Sequence, residues 1–186
     1  KHGVTVELVE MLGGHRAMQA MLAGDVDIGT SSDYPVMINS FTRNDYAVLA
    51  SCVSSENDVK LMARRKSGIH EANDLKGKTI GITKWGSSHY FLDRFLLFNG
   101  MEIKDVNVVH INPEDMPAAL ESRSVDAISV WEPYGYLSSK KLGSELNNLS
   151  KVSYYRETLN LVTRKNYAKN NLEAGRRILR ALKDRI

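Results

Sequence analysis

The chain has 186 residues, of which 42% are hydrophobic and 25% are charged, a composition typical of a soluble globular protein with one or two domains. Its formal net charge of +3 is too small to indicate a nucleic acid as a partner, and its basic residues form only short clusters that we interpret as solvated surface. The single cysteine, Cys52, excludes an intramolecular disulfide, and no apolar run approaches the ~18 residues of a membrane-spanning helix.

Apolar periodicity predicts strands and helices that alternate along most of the chain. Alternating or continuous β-branched runs indicate strands at 4–10, 27–31, 47–53, 59–64, 79–83, 106–111, 127–131 and about 159–164. Helical spacing indicates helices at about 15–23, 34–42, 88–99, 114–122, 133–141 and 170–185. This alternation predicts an α/β fold with parallel sheets.

One pattern of elements occurs twice in the chain. Residues 17–35 return as residues 116–134, and in this match Asp33 aligns with Glu132. Each copy has a helix, a tight turn, a Val-Asp step, a short apolar strand and an acid just past it, and each follows an extended segment, 4–10 or 106–111. Ligands of open α/β sheets bind at the carboxyl ends of strands. The repeat therefore predicts two Rossmann-like lobes that face a shared cleft.

The two copies differ in what precedes them. A strand, loop and helix at 78–100 come before the second copy, whereas the first copy has no such segment ahead of 4–10. We therefore expect a fragment truncated at both ends, with a first lobe that lacks its opening strand and helix. Polar residues at 54–58 and 153–158 are the hinge candidates. These crossings predict a first lobe of 1–58 plus 160–186 and a second lobe of 59–159.

The strongest local candidate for a binding site is the start of the helix at 88–99. Free N–H groups and the positive end of the helix dipole favour an anion there. Gly86 allows close approach of the backbone, Ser87 and Ser88 add hydroxyl donors, and Trp85 and His89 flank them. The alternative is that Ser87 or Ser88 only caps the helix.

The corresponding candidates in the first copy are Ser31, Ser32 and Asp33, at the end of one predicted strand. Capping of the next helix is the alternative for Asp33. If Asp33 and Glu132 faced one cleft, the two carboxylates would favour a ligand with a cationic or donor-rich end. Trp131, like Trp85, is a candidate aromatic wall, with ordinary packing as the alternative.

The sequence contains none of the common enzyme or metal motifs. It has no P-loop, no G-x-S-x-G, no H-E-x-x-H, no Cys-x-x-Cys and no dinucleotide fingerprint, and its five histidines lack metal-ligand spacing. We therefore expect a protein that is not an enzyme, with no catalytic residue, no metal and no cofactor.

Three segments, in this order and spacing, carry a resemblance to a known family: VDIGTSSDYPVM, DLKGKTIGITKWGSSHYFLDRFL and SVDAISVWEPYGYL. They resemble the nitrate/sulfonate/taurine-type (NMT1/THI5-like) substrate-binding proteins of ABC importers. The resemblance implies a two-lobed type II periplasmic-binding-protein fold with a hinge. In that family the loops around Ser31–Ser32–Asp33 and Trp131–Glu132 line the cleft.

The resemblance also implies a function. It predicts an extracytoplasmic protein, periplasmic or lipid-anchored in its full-length form, that binds a small anionic or zwitterionic solute such as a sulfonate, taurine, nitrate or an aminopyrimidine. Its expected partners are that solute and a membrane permease, with no nucleic acid, and its expected state is a monomer. The alternatives on the same fold are an enzyme, either similar to menaquinone-pathway chorismate dehydratase or acting in pyrimidine biosynthesis, and the ligand-sensing ectodomain of a receptor.

Overall fold

The computed structural model describes residues 2–150 and 154–184. In chain order its elements are α1 (Gly14–Ala23), β1 (Ile28–Ser32), α2 (Asp33–Ser40), β2 (Tyr46–Ser55), β3 (Lys60–Arg64), β4 (Thr79–Ile82), α3 (Ser87–Phe98), β5 (Asn107–His110), α4 (Met116–Ser122), β6 (Ala127–Val130), α5 (Tyr134–Leu142), β7 (Leu146–Asn148), β8 (Glu157–Arg164), α6 (Lys165–Asn170) and α7 (Leu172–Lys183). None of the helices in the described ranges has the length and apolar character needed to span a bilayer.

The described residues form two compact units. Those up to Ser54 together with those from Thr158 onward make the first unit, and those from Ser55 to Glu157 make the second. The lobe boundaries predicted from the sequence stay a prediction. Ser153, the first residue of one hinge candidate, lies outside the described residues.

The first unit is a three-stranded sheet in the order β1-β8-β2, with α1 packed closely on β1. A side-chain carbon built on Gly29 would lie 2.9 Å from the carbonyl oxygen of Ala17, so the helix backbone rests directly on the strand. Met18 and Met21 of α1 are fully buried there and belong to a core cluster that also contains Val162 of β8.

The second unit is a five-stranded sheet in the order β5-β4-β6-β3-β7. All residues of β3 and β6 are buried, as expected for strands covered on both faces. One core cluster contains the apolar face of α3 with Leu61 and Ile80, and a second contains Met116 and Leu120 of α4 with Met62. Because Leu61 and Met62 are adjacent, they point to opposite faces of the sheet.

The prediction of parallel sheets is only partly correct. β4 pairs in parallel with β5 and β6, but β3 pairs antiparallel with β6 and β7, and β1 pairs antiparallel with β8. Apolar periodicity identifies a strand but carries no information about the direction of its neighbour. The α/β class itself is confirmed.

The prediction of a strand at 4–10 is wrong. The second copy's segment forms β5 because it pairs with β4, whereas the described part of the first unit has no strand that pairs with 4–10. An extended segment without a partner leaves its backbone groups to water. Leu8 is accordingly 90% exposed.

Two smaller differences concern the end of the second unit and the last helix. The polar strand β7 was not predicted, because it has no apolar periodicity. The helix predicted at 170–185 begins earlier and is divided at Asn171 into α6 and α7. Residue 185 lies outside the described residues. The other predicted strands and helices are confirmed, with small shifts in their bounds.

Candidate functional site

A tight turn joins β4 to α3 and positions the start of that helix. The Gly86 N–H donates to the carbonyl of Thr83 at 3.2 Å and closes the turn. Trp85 adopts a left-handed backbone conformation with φ of 65°, which few non-glycine residues do. Gly86 is extended and precedes the helix as its N-cap. Because glycine has no side chain, the first turn of α3 has no side-chain cap.

The two adjacent serines at the start of α3 are used differently. The Ser88 hydroxyl is fully buried and accepts a hydrogen bond from the Thr83 N–H at 3.0 Å. The Ser129 hydroxyl of β6 donates to the Ser88 carbonyl at 2.8 Å, which fixes the helix start to the sheet. Ser88 therefore holds the turn together. Thr83 and Ser129, which complete this arrangement, were not predicted from the sequence.

Ser87 leaves its donors unused. Within residues 2–150 and 154–184, the Ser87 N–H and hydroxyl and the Ser88 N–H have no hydrogen-bond partner. The first N–H groups of a helix have no acceptor inside the helix and carry the positive end of its dipole. Within that part of the chain, the start of α3 is therefore a set of unpaired donors, of which Ser87 is 5% exposed and Ser88 is fully buried.

Two imidazoles support the turn from outside. The Lys84 N–H donates to Nδ1 of His110 at 3.2 Å, and the Trp85 N–H donates to Nδ1 of His89 at 3.4 Å. The His89 and Trp85 rings meet edge to face at 5.9 Å. Burial lowers the pKa of His89 below its ordinary value of 6.5, Asp93 raises this pKa, and Lys84 lowers it. Both bonds need a neutral imidazole nitrogen. Sequence reasoning missed His110, which comes from the end of β5.

The loop that follows β6 adjoins this turn. A side-chain carbon built on Gly86 would lie 3.7 Å from the Trp131 ring. The Trp131 ring also meets Tyr134 edge to face, with centroids 6.4 Å apart. The second unit thus brings Trp131 together with Trp85, Gly86 and the serines of α3.

Glu132 has partners inside the second unit. Its Oε2 accepts the Tyr136 N–H at 2.7 Å, and its Oε1 lies 3.8 Å from Nζ of Lys60. The carboxylate therefore caps α5 and faces an ammonium. Sequence reasoning missed Lys60, because nothing in the pattern links it to a residue so distant in the chain.

The candidates in the first unit lie at the end of β1 and the start of α2. Ser31 is fully buried, and its hydroxyl donates to the Ser32 carbonyl at 3.1 Å. Asp33 is the first residue of α2, and its carboxylate accepts the N–H of the next residue, Tyr34, at 3.1 Å, so it does not act as the N-cap. Ser32 precedes the helix but makes no side-chain cap. Asp33 and Glu132 belong to different units, so their joint action on one ligand stays a prediction.

One further group in the first unit was not anticipated. Nδ1 of His15, in the first turn of α1, is buried and has no partner in the described part of the chain. Burial lowers the pKa of His15, and Arg16 lowers it further. Among the described residues, no cluster of His, Cys, Asp and Glu is arranged to hold a metal ion.

Comparison with protein families and curated relatives gives consistent matches. A family model described as "NMT1/THI5 like" matches residues 1–185. A Bacillus subtilis (strain 168) protein named for aliphatic sulfonate binding is 29% identical over 146 residues, which cover 78% of this chain and 44% of that protein. The taurine-binding periplasmic protein of Escherichia coli (strain K12) is 26% identical over 173 residues, 92% of this chain and 53% of that protein. The chain spans about half the length of these curated relatives.

Solved structures show the same architecture. The alkanesulfonate-binding protein SsuA from Xanthomonas axonopodis pv. citri, bound to MOPS, matches with a TM-score of 0.79 at 22% identity, over 95% of this chain and 61% of that one. The periplasmic aliphatic sulphonate binding protein SsuA from Escherichia coli matches with a TM-score of 0.74 at 23% identity, over 95% of this chain and 60% of that one. At these identities the likeness shows a shared fold.

Proposed function

Because the chain belongs to the NMT1/THI5-like family, we propose that it is an extracytoplasmic solute-binding protein of an ABC importer. In this proposal it binds a small anionic or zwitterionic solute, of which a sulfonate is the first candidate, and delivers it to a membrane permease as a monomer. The relatives whose names state an activity are binding proteins rather than enzymes. The family and the fold class predicted from the sequence are both confirmed.

The uncapped start of α3 is the observation that carries the proposal. Two backbone N–H groups and the Ser87 hydroxyl have no acceptor among the described residues, while the rest of the turn is fixed by Ser88, His89 and His110. Each hydrogen bond to a charged group is worth about 1.5–3 kcal/mol. The two bonds that the Ser87 N–H and hydroxyl can donate supply about half of the ~8 kcal/mol that corresponds to micromolar affinity.

Tryptophan side chains support the same site. Trp131 lies against Gly86, and Trp85 is half exposed beside the same turn. Small-ligand sites combine apolar walls with a few placed polar groups. We propose that these rings contact the apolar part of the solute while its anionic end binds at Ser87.

Binding is preferred over the enzymatic alternatives for a further reason. An acid or base in catalysis has to reach the proton that it transfers. The Glu132 carboxylate already accepts the Tyr136 N–H and faces Lys60, and Asp33 already accepts the Tyr34 N–H. Both carboxylates therefore have partners within the protein, which supports a binding protein without turnover.

The sharpest test removes one backbone donor and leaves the helix in place. Ser87 is the first residue of α3, a position where proline is tolerated, and Gly86 before it is extended, as a residue before proline should be. Ser87→Pro deletes the N–H and the hydroxyl, whereas Ser87→Ala deletes only the hydroxyl. Calorimetric titration with ethanesulfonate, taurine, nitrate and an aminopyrimidine identifies the probe that the wild type binds.

For that probe we expect Ser87→Pro to weaken binding at least about tenfold, since one charge-assisted hydrogen bond is worth more than the ~1.4 kcal/mol of a tenfold change. Ser87→Ala should weaken it less. Equal melting temperatures of the two variants are the control for folding. Unchanged affinity of a folded Ser87→Pro variant would refute the site, and failure of the wild type to bind any of the four probes would refute the solute class.

A further inference from the structure

The ion pair between Lys60 and Glu132 bears on which solutes the second unit can distinguish. Lys60 is the first residue of β3, and it pairs in register with Val130, the last residue of β6. The register of the two strands therefore places the lysine beside the loop that carries Trp131 and Glu132. Its side chain is only 9% exposed, against 35% for Glu132.

All three donors of the Lys60 ammonium have an acceptor or a counter-charge inside the unit. Nζ donates to Oδ1 of Asn57 at 2.6 Å and also to the Asn57 carbonyl, and it faces Oε1 of Glu132 at 3.8 Å. An ammonium has three N–H donors and no acceptor. These contacts fix the Lys60 side chain with its Nζ opposite the Glu132 carboxylate.

The carboxylate is fixed as well. Its other oxygen accepts the Tyr136 N–H, in the first turn of α5, where the helix dipole favours a negative charge. A side-chain carbon built on Gly135 would lie 3.2 Å from both Glu132 carboxylate oxygens and 3.2 Å from Cγ of Lys60. Because Gly135 has no side chain, the Lys60 and Glu132 side chains can pack against its backbone. Glu132 is thus enclosed between the lysine stem and the helix start.

We propose, on the basis of the function proposed above, that Lys60 is a positioning residue that determines specificity. It holds Glu132 as a neutralised cap of α5, so that the acid does not recognise a cationic group on the solute. Glu132 directly follows Trp131, whose ring lies against the start of α3. A solute whose anionic end binds at Ser87 therefore meets a loop whose one carboxylate, that of Glu132, is paired with Lys60 of β3. In this proposal the second unit binds the anionic end of the solute, and an amine on the solute does not change its affinity.

Two probes that share an anionic end test this inference. Ethanesulfonate and taurine differ only by the ammonium group of taurine, and the measured quantity is the ratio of their dissociation constants. For the wild type we expect a ratio within about threefold of one. Lys60→Met keeps most of the stem and removes the charge, and we expect it to shift the ratio about tenfold in favour of taurine, whose ammonium takes the place of the lysine's.

Three further variants separate positioning from simple packing. Lys60→Arg keeps the charge and should retain the wild-type ratio, and the double variant Lys60→Met with Glu132→Gln should restore it. Glu132→Gln alone should leave the ratio within about twofold of the wild type, and a larger change in this variant would overturn the inference even if Lys60→Met does not fold. If Lys60 had a merely structural role, Lys60→Met would weaken the binding of both probes equally and leave the ratio of their dissociation constants unchanged.

The outcomes distinguish this inference from the proposed function. Binding of both probes by the wild type, with the same ratio in Lys60→Met, overturns the inference alone. A strong preference of the wild type for taurine that disappears in Glu132→Gln also overturns it, because Glu132 would then recognise the amine directly. Binding of neither probe by the wild type overturns the proposed sulfonate class, and the inference with it.

Discussion

We expect replacement of Asp126 by alanine to destabilise the protein far more than the same replacement of Asp27, although the two residues occupy the same position in the internal repeat. Asp126 accepts the N–H of Thr79, the first residue of β4, at 2.8 Å through its carboxylate, and its own N–H donates to the Thr79 carbonyl at 2.8 Å. Asp126 therefore aligns the start of one parallel strand with its neighbour. Asp27 is 61% exposed and lies 3.4 Å from Arg164.

The magnitudes follow from these contacts. Asp126→Ala removes a charged acceptor and leaves a partly buried N–H without a partner, which costs about 2 kcal/mol. Asp126→Asn keeps an oxygen in place and should cost about half as much. Asp27→Ala breaks only an exposed ion pair, so the free energy of unfolding should change by less than about 1 kcal/mol.

Urea denaturation followed by circular dichroism measures the difference. With a denaturant dependence of about 2 kcal/mol per molar urea, Asp126→Ala should lower the midpoint by about 1 M and Asp27→Ala by less than half of that. Equal losses in the two alanine variants would refute the reasoning, because they would mean that the position in the repeat, rather than the hydrogen bond to Thr79, determines the energy.

Three other predictions concern the turn, the glycines and the pH. Ser88→Ala should lower the free energy of unfolding by about 1–2 kcal/mol, because the Thr83 N–H loses its acceptor; a stability equal to that of the wild type in chemical denaturation would contradict this. Gly29→Ala should cost about 1–3 kcal/mol, since the new carbon would lie 2.9 Å from a backbone carbonyl of α1, whereas Gly175→Ala meets nothing within 4 Å and should gain about 0.5–1 kcal/mol in helix stability; melting temperatures that move in the same direction would contradict the pair. Burial favours the neutral form of His89, so its pKa in the folded protein lies below the ordinary 6.5, and the stability linked to it is present above that pH and declines as the pH falls below it; a midpoint at or above 6.5 in an NMR titration would show the sign to be wrong.

The sequence was most informative where one local pattern determines one local structure. The helix predicted at 88–99 is α3, and its apolar face follows from residues close together in the chain. Neither Ser87 nor Ser88 caps it, because Gly86 is the N-cap. The prediction of a strand at 4–10 was wrong, because a strand forms only where a neighbouring strand accepts and donates its backbone hydrogen bonds. Its counterpart β5 has the same pattern but pairs with β4.

The sequence singles out the residues at the start of α3 but not the hydrogen bonds that each of them makes, and their contact with a ligand stays a prediction. Two adjacent serines are indistinguishable in the sequence, and both are buried, yet only the Ser88 hydroxyl accepts the Thr83 N–H. Lys60 and Ser129 could not be found from local patterns, because the register of β3 and β6 and the packing of α3 bring them to the site. Partners that come from distant strands are set by tertiary structure.

The placement of the two tryptophans has an optical consequence. The chain has two, Trp85 and Trp131, and both belong to the second unit. Intrinsic indole emission therefore reports on that unit alone, from a half-exposed ring at Trp85 and a partly buried one at Trp131. Unfolding curves recorded by fluorescence follow the part that contains Asp126 and not the part that contains Asp27. Comparison with circular dichroism then shows, without any label, whether the two units melt as one cooperative body.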